Sequence, residues 1–277
     1  MGTFVKTARI SYGIMIAALG VQQIFYSDFR PVILPPWPVS LPGHVFFVYL
    51  LSIILIIGGL AIVFDKSAKM VSLILGGTFL LLIVFCQIPY EILADSYYRN
   101  LGSWAAAMKE LVFAGGAFVV AGSFPVEDRH SKNKPLMSLL ENFIPLGNIF
   151  FSITIICFGI DHFLYAEGIS TLVPNWIPVH IFWTYFAGAA LVISGIAIIL
   201  KVQLKINAIL LALMIFLWLI VLHIPRAFDD PYSRKGNEVS SVFEAFGFSG
   251  IAYLIAVGYS KREVTKPVFP GKIELVE

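Results

Sequence analysis

A chain of 277 residues that is 58% hydrophobic and only 13% charged, with a mean hydropathy of +0.87, has more apolar surface than a water-soluble core can bury. It is predicted to be an integral membrane protein. Its formal net charge of +2 comes with no basic stripe or tail able to compete for phosphate, which argues against a nucleic-acid partner.

The first apolar run, about 4–26, carries Lys6 and Arg9 ahead of it in the manner of a secretory leader. A counterpart near 147–165 lies mid-chain and cannot be a leader, so the first run reads as a retained helix. Seven further runs follow at about 43–64, 69–90, 103–122, 144–165, 179–200, 205–224 and 241–259. Each is near the roughly 20 residues that a bilayer core requires. The expected fold is therefore all-α, with eight transmembrane helices. Thirteen Lys and Arg residues fall on the side of the N-terminus and six on the other, which places both termini in the cytoplasm by the positive-inside rule. Trp37, Trp104, Trp176 and Trp183 fall at the outer boundary, as interfacial anchors. Between the halves, the polar stretch from Pro125 to Asn142 reads as a cytoplasmic linker in which His130 is solvated. Cys86 and Cys157 lie inside apolar runs with no C-x-x-C spacing, as small buried hydrophobes.

The halves resemble each other. His44, Phe46 and Tyr49 match His180, Phe182 and Tyr185; Gln87-Ile88-Pro89 matches His223-Ile224-Pro225; Glu110 and Gly116 match Glu244 and Gly250. Gln22 and Gln23 stand where the later copy has Asp161 and His162. Four helices return the chain to its starting side, so the expected organisation is two parallel four-helix repeats, 1–124 and 143–260, joined by a linker at 125–142 and followed by a cytoplasmic tail at 261–277.

Ionisable groups near membrane depth must be paired, wetted or functional. The second half places Asp161 and His162 at the outer end of its first helix, His180 at the start of its second, His223 at the end of its third and Glu244 in its fourth. Three uses compete. Three histidines and two carboxylates could bind a divalent metal, with His162, His180, His223 and Glu244 as ligands, though no H-x-x-x-H or E-x-x-H pair occurs. A quinone-like ligand needs an apolar slot, aromatic walls and one or two donors, which Tyr165, Trp176, Trp183 and Tyr185 beside His162 and His180 supply. A proton or ion relay could run through His223 and Glu244. Against these stands a network that only holds the helices in register, as Gln22, Gln23, His44, Gln87 and Glu110 could form in the first half. Asp161, His162 and His223 occur in one copy only, which favours function in the second half.

Neighbouring residues carry further expectations. Pro89 and Pro225 are expected to end their helices. Arg226 is expected either to anchor at the interface or to bind an anion, pairing with Asp229, Asp230 or Glu244. Lys109 is expected to snorkel away from the bundle. Gly58-Gly59, Gly76-Gly77 and Gly115-Gly116 read as close helix contacts. The loops from Asp28 to Pro42 and from Asp229 to Val239 are large enough to lid a pocket or meet a partner.

Gly159-x-x-His162, Pro174-x-Trp176-x-Pro178, His223-Ile-Pro-Arg226 and Phe243-Glu244-Ala-Phe246 together resemble the DoxX-like membrane proteins. The resemblance implies a bacterial inner-membrane protein, here a fused pair of four-helix units. Some relatives are linked with quinone-dependent oxidoreduction or with redox partner complexes. The expected function is a membrane subunit, rather than a free-standing enzyme, with an outer-leaflet pocket for a quinone-like ligand and a membrane or periplasmic protein partner. The alternative is a non-catalytic assembly or scaffold protein.

Overall fold

The computed structural model describes residues 2–38, 41–125 and 135–264, with side chains described as far as 258. Arg129, His130, Lys132 and Lys134 of the expected linker lie outside the described residues. Helix is the only regular structure among the residues described. That follows from the solvent: in hydrocarbon each backbone N–H and C=O needs a partner within the chain, and an apolar run satisfies this by itself only as a helix.

Eight helices among the described residues are long and apolar enough to cross a membrane: α1 (Gly2–Tyr26), α2 (His44–Val63), α3 (Ala68–Leu93), α4 (Leu101–Gly122), α5 (Pro135–Leu164), α6 (His180–Leu200), α7 (Leu204–Asp229) and α8 (Asn237–Gly258, with helix continuing to Val264). Each packs on its neighbours in sequence, and α8 closes the ring on α1. α4 and α8 also touch across the ring and pinch it into two lobes, one bounded by α1–α4 and the other by α5–α8. The α1–α2, α3–α4, α5–α6 and α7–α8 connections share one face, called distal below; α1 begins on the opposite, terminal face.

Lipid tails are as apolar as leucine, so helix association here depends on close packing. Small residues provide it. A Cβ on Gly13 would stand 2.6 Å from the Gly59 carbonyl across the α1–α2 contact. One on Gly147 would stand 2.8 Å from the Gly115 carbonyl across α4–α5. Outward faces of α2, α6 and α7 remain strongly apolar, with Phe46, Ile57, Phe182, Ile193, Leu210 and Leu217 all exposed to the surrounding lipid.

One expectation about this frame is corrected. Pro89 and Pro225 do not end their helices. Each is preceded by one π-helical turn, Ile83–Gln87 and Leu219–His223, after which α-helix resumes as Ile88–Leu93 and Ile224–Asp229. A proline lacks the N–H for the carbonyl four residues back and crowds it; a wider turn moves that carbonyl aside. The described end of the expected linker packs on the bundle. Pro135–Glu141 is helical, Leu140 packs beneath Gly77, and Lys69 Nζ pairs with Glu141 at 2.7 Å.

The lobes differ in filling. In the first, Tyr12, Met15, Leu55, Phe79 and Phe113 are fully buried, and the Tyr12 hydroxyl donates to the Phe113 carbonyl at 2.7 Å. The connection after α1 turns inward and buries Phe29, Arg30, Val32 and Ile33. In the second lobe the connection after α5 forms a short helix, Ala166–Ser170, and stays near the distal rim. A cavity remains beneath it.

Candidate functional site

The cavity occupies about 480 Å³ inside the second lobe. Each wall comes from one helical stripe: Ile155, Phe158 and His162 on α5; Thr184, Ala187 and Leu191 on α6; Ser241, Glu244, Ala245 and Phe248 on α8. Spacings of three, four and seven residues bring these side chains to one face of each helix. α7 adds Met214, Ile215, Trp218, Leu222 and His223, α4 adds Ala105 and Lys109, and Ile169, Leu172 and Val173 roof the space. Asp161, His162, His223, Ser241 and Glu244 gather toward the distal end, and Ile155, Leu191, Met214, Ile215 and Phe248 lie deeper. The space is apolar over nearly all of its lining, with its few polar groups at the distal end.

At the polar end, Lys109 Nζ pairs with Glu244 Oε2 at 2.7 Å, across the contact between α4 and α8. Lys109 does not snorkel to lipid as its sequence position suggested. Adjacent positions on a helix point different ways, so Glu110 turns into the first lobe and Lys109 into the second. Glu244 is only 4% exposed, which makes this a desolvated pair and not a surface one. Glu244 Oε1 and Asp161 Oδ1 are buried with no hydrogen-bond partner. His162 Nδ1 lies 2.7 Å from the Phe158 carbonyl. A carbonyl only accepts, so Nδ1 carries the proton and Nε2 of the neutral ring is an acceptor.

The structure brings Asp161, His162, His223 and Glu244 to one cavity and leaves other expected site residues outside it. His180 lies one turn from Thr184 on the same stripe of α6, beyond the cavity's distal end. Tyr165 reaches the backbone of Gly102, its hydroxyl 3.3 Å from that nitrogen. Trp176 is exposed, Tyr185 stacks on Phe163 at the surface, and Trp183 lies edge-on to Trp218 behind the wall. The aromatic lining is Phe158, Trp218 and Phe248. Arg226 pairs with none of its expected partners; two of its donor nitrogens, Nε and Nη2, reach Glu238 at 2.9 Å. Among the described residues no three His, Cys, Asp or Glu side chains form a group able to hold a metal ion, so the metal reading of His162, His180, His223 and Glu244 has no supporting geometry.

Of the counterparts in the first half, Gln22, Gln23 and Gln87 are held by hydrogen bonds to neighbouring segments. Gln23 Nε2 donates to Ser52 Oγ at 3.1 Å and its Oε1 accepts from Arg30 N at 3.2 Å. Gln22 Oε1 accepts from Ser240 Oγ at 2.7 Å, and Gln87 Nε2 donates to the Pro31 carbonyl at 3.2 Å. Arg30 extends across to α8, donating to Ser240 Oγ at 2.9 Å and to the Lys235 carbonyl. Glu110 is fully buried, and neither of its carboxyl oxygens has a hydrogen-bond partner among the described residues. This arginine plug, which no motif announced, fills the distal mouth of the first lobe.

At the rim, His44 Nε2 lies 3.0 Å from Asp28 Oδ1, and Lys235 pairs with the other oxygen. Partial burial pushes the Asp28 carboxyl up, but Lys235, His44 and the Phe29 N–H outweigh it and hold it below the ordinary carboxylate range. A carboxyl depressed on folding contributes stability that is present above its unfolded pKa and lost as pH falls through its folded one. The difference in melting temperature between the native chain and Asp28→Asn is therefore expected to stay constant from neutral pH to about 4.5 and to close below about 4. Thermal melts across that range check this; a gap that closes near pH 6 would assign the effect to another group.

No family model, curated protein or solved structure matches the chain.

Proposed function

We propose that the chain is a tandem pair of DoxX-like four-helix units whose second unit binds an amphipathic, quinone-like molecule within the bilayer. The constant spacing of matching features supports the duplication: α2 and α6 begin at His44 and His180, α3 and α7 at Ala68 and Leu204, and the π turns at Ile83 and Leu219. The thirteen-to-six division of basic residues supports a cytoplasmic terminal face in a bacterial inner membrane. The motif resemblance supports a place in a redox-linked complex with a membrane or periplasmic partner.

One observation carries the binding reading: a cavity of about 480 Å³ that is apolar at depth and polar at its distal end. Ligand sites commonly combine an apolar enclosure with a few placed polar groups. The scaffold reading fits the first lobe, where Gln22, Gln23 and Arg30 are buried and hydrogen-bonded to their neighbours. Cavity filling separates the two. Met214→Trp is expected to leave the melting temperature within a few degrees of the native chain and to remove the lipid-soluble small molecule that co-purifies with it, as read by mass spectrometry of organic extracts. Equal extracts from both proteins, with both folded, would leave the polar cluster as a structural network.

A further inference from the structure

Resting on that binding reading, we infer that the cavity selects its ligand by chain length: it takes an amphipath whose hydrocarbon chain is close to octyl and rejects chains as long as those of the surrounding lipids. A closed floor beneath the apolar end sets the limit.

Helix rise converts the lining into a depth. His162 to Ile155 on α5, Thr184 to Leu191 on α6 and Ser241 to Phe248 on α8 each run seven residues along the cavity, and His223 to Met214 on α7 runs nine. At about 1.5 Å per residue these walls are about 10 to 14 Å long. Below them the stripes go on, but the space does not. About one turn deeper than Ile155, Met214 and Phe248 stand Ser152, Leu211 and Ala252, none more than 1% exposed, and Ser194 is buried beneath Leu191. Ser249 Oγ donates to the Ala212 carbonyl at 2.9 Å and holds α8 on α7 at that level. At the other end Ile169, Leu172 and Val173 roof the space. A ring-sized head and an extended octyl chain together span the distance from roof to floor.

Inside a bilayer the usual gain from hiding a chain from water is absent, since lipid tails are as apolar as leucine. Fit is what remains. A chain that stops short leaves a void whose walls lose dispersion contacts, and each carbon that reaches the floor restores them. A chain that is too long meets packed side chains and must fold back or press its head against the roof, at an overpacking cost. Membrane hydrocarbon is about 30 Å thick, so a lipid chain reaches about 15 Å from its headgroup. From His162 to Ile155 the cavity offers about 10 Å. The lipids on every side are therefore poor competitors for it, although they outnumber any other amphipath.

The test is equilibrium binding to the full chain in lipid nanodiscs, referred to the mole fraction of probe in the bilayer. Butyl, octyl, dodecyl and hexadecyl chains are carried on a benzoquinone and, in a second series, on a primary alcohol. The octyl quinone is expected to bind about fivefold tighter than the butyl or the hexadecyl quinone. Leu211→Ala, which lowers the floor, is expected to move the optimum to dodecyl; Leu191→Phe, which raises it, is expected to weaken octyl and spare butyl. If either variant fails to fold, the native series decides alone. Quinones that bind equally at every length, or ever tighter as the chain grows, would overturn the length limit and leave the quinone-like reading standing. An optimum that stays at octyl in a folded Leu211→Ala protein would overturn the floor as its cause. An octyl optimum among the alcohols with no quinone bound would uphold the length limit and replace the quinone-like molecule with another amphipath. No binding in either series would overturn both.

Discussion

Replacing Glu244 with alanine is expected to destabilise the protein by about 3–5 kcal/mol, the range found when one partner of a buried ion pair is removed. Glu244 is 4% exposed, and its carboxylate is the only acidic group 2.7 Å from Lys109 among the described residues. Without it the ammonium loses its ion partner beside a wall that is almost entirely apolar. The sign of the effect depends on leaving one charge behind. Lys109→Met combined with Glu244→Leu removes both and is expected to recover most of the lost stability, since replacing a whole buried pair with apolar groups is often neutral or favourable. Thermal unfolding of the two singles and the double, followed by size exclusion in detergent, checks this as a double-mutant cycle. A Glu244→Ala protein that melts with the native chain would mean that the pair is wetter than its burial indicates.

Gly13→Ala is the second large effect, and it adds a single carbon. Its Cβ would stand 2.6 Å from the Gly59 carbonyl and 2.9 Å from a methyl of Val63. The methyl could turn away, but the carbonyl belongs to the backbone of α2, so the helices must separate along their whole contact. Overpacking of this kind costs about 1–3 kcal/mol in well-packed cores. Here the expected cost is at the upper end, because helix association in lipid depends on that close approach. Gly168→Ala is the matched control: nothing lies within 4 Å of its added Cβ, and alanine favours the short helix it sits in. The expected result is a poorly folded Gly13→Ala protein and a Gly168→Ala protein with native yield and melting temperature. Equal behaviour of the two would show that α1 and α2 can move apart at little cost.

The contrast between the lobes explains why one half carries the candidate site. Helices begin at His44 and Ala68 in one half and at His180 and Leu204 in the other, with π turns at Ile83 and Leu219. In the first, the connection after α1 carries Phe29, Arg30, Val32 and Ile33 into the bundle, and Tyr12, Phe79 and Phe113 fill the space below. Arg30 can be buried there because its guanidinium finds Ser240 Oγ and the Lys235 carbonyl; its own desolvation nonetheless lowers its pKa. In the second lobe the connection after α5 supplies Ile169, Leu172 and Val173 as a roof.

The sequence by itself determined the eight spans, because an apolar run near 20 residues in hydrocarbon has only helix available to satisfy its backbone. It also identified Asp161, His162, His223 and Glu244, since charges are so costly at that depth that their mere presence singles them out. The tertiary structure alone decided which way each helix turns. In a soluble protein the apolar stripe of a helix marks its inner face; here lipid and core are equally apolar, so residues facing lipid and residues facing the cavity look the same in the sequence. That is why Trp176, Trp183, Tyr165 and Tyr185 seemed as fit to wall the pocket as Phe158, Trp218 and Phe248, which do. It is also why Lys109 could be assigned to lipid when the contact between α4 and α8 turns it onto Glu244. Helix rotation is set by small residues meeting across contacts, such as Gly115 against Gly147, and those meetings are made between segments that only the folded chain brings together.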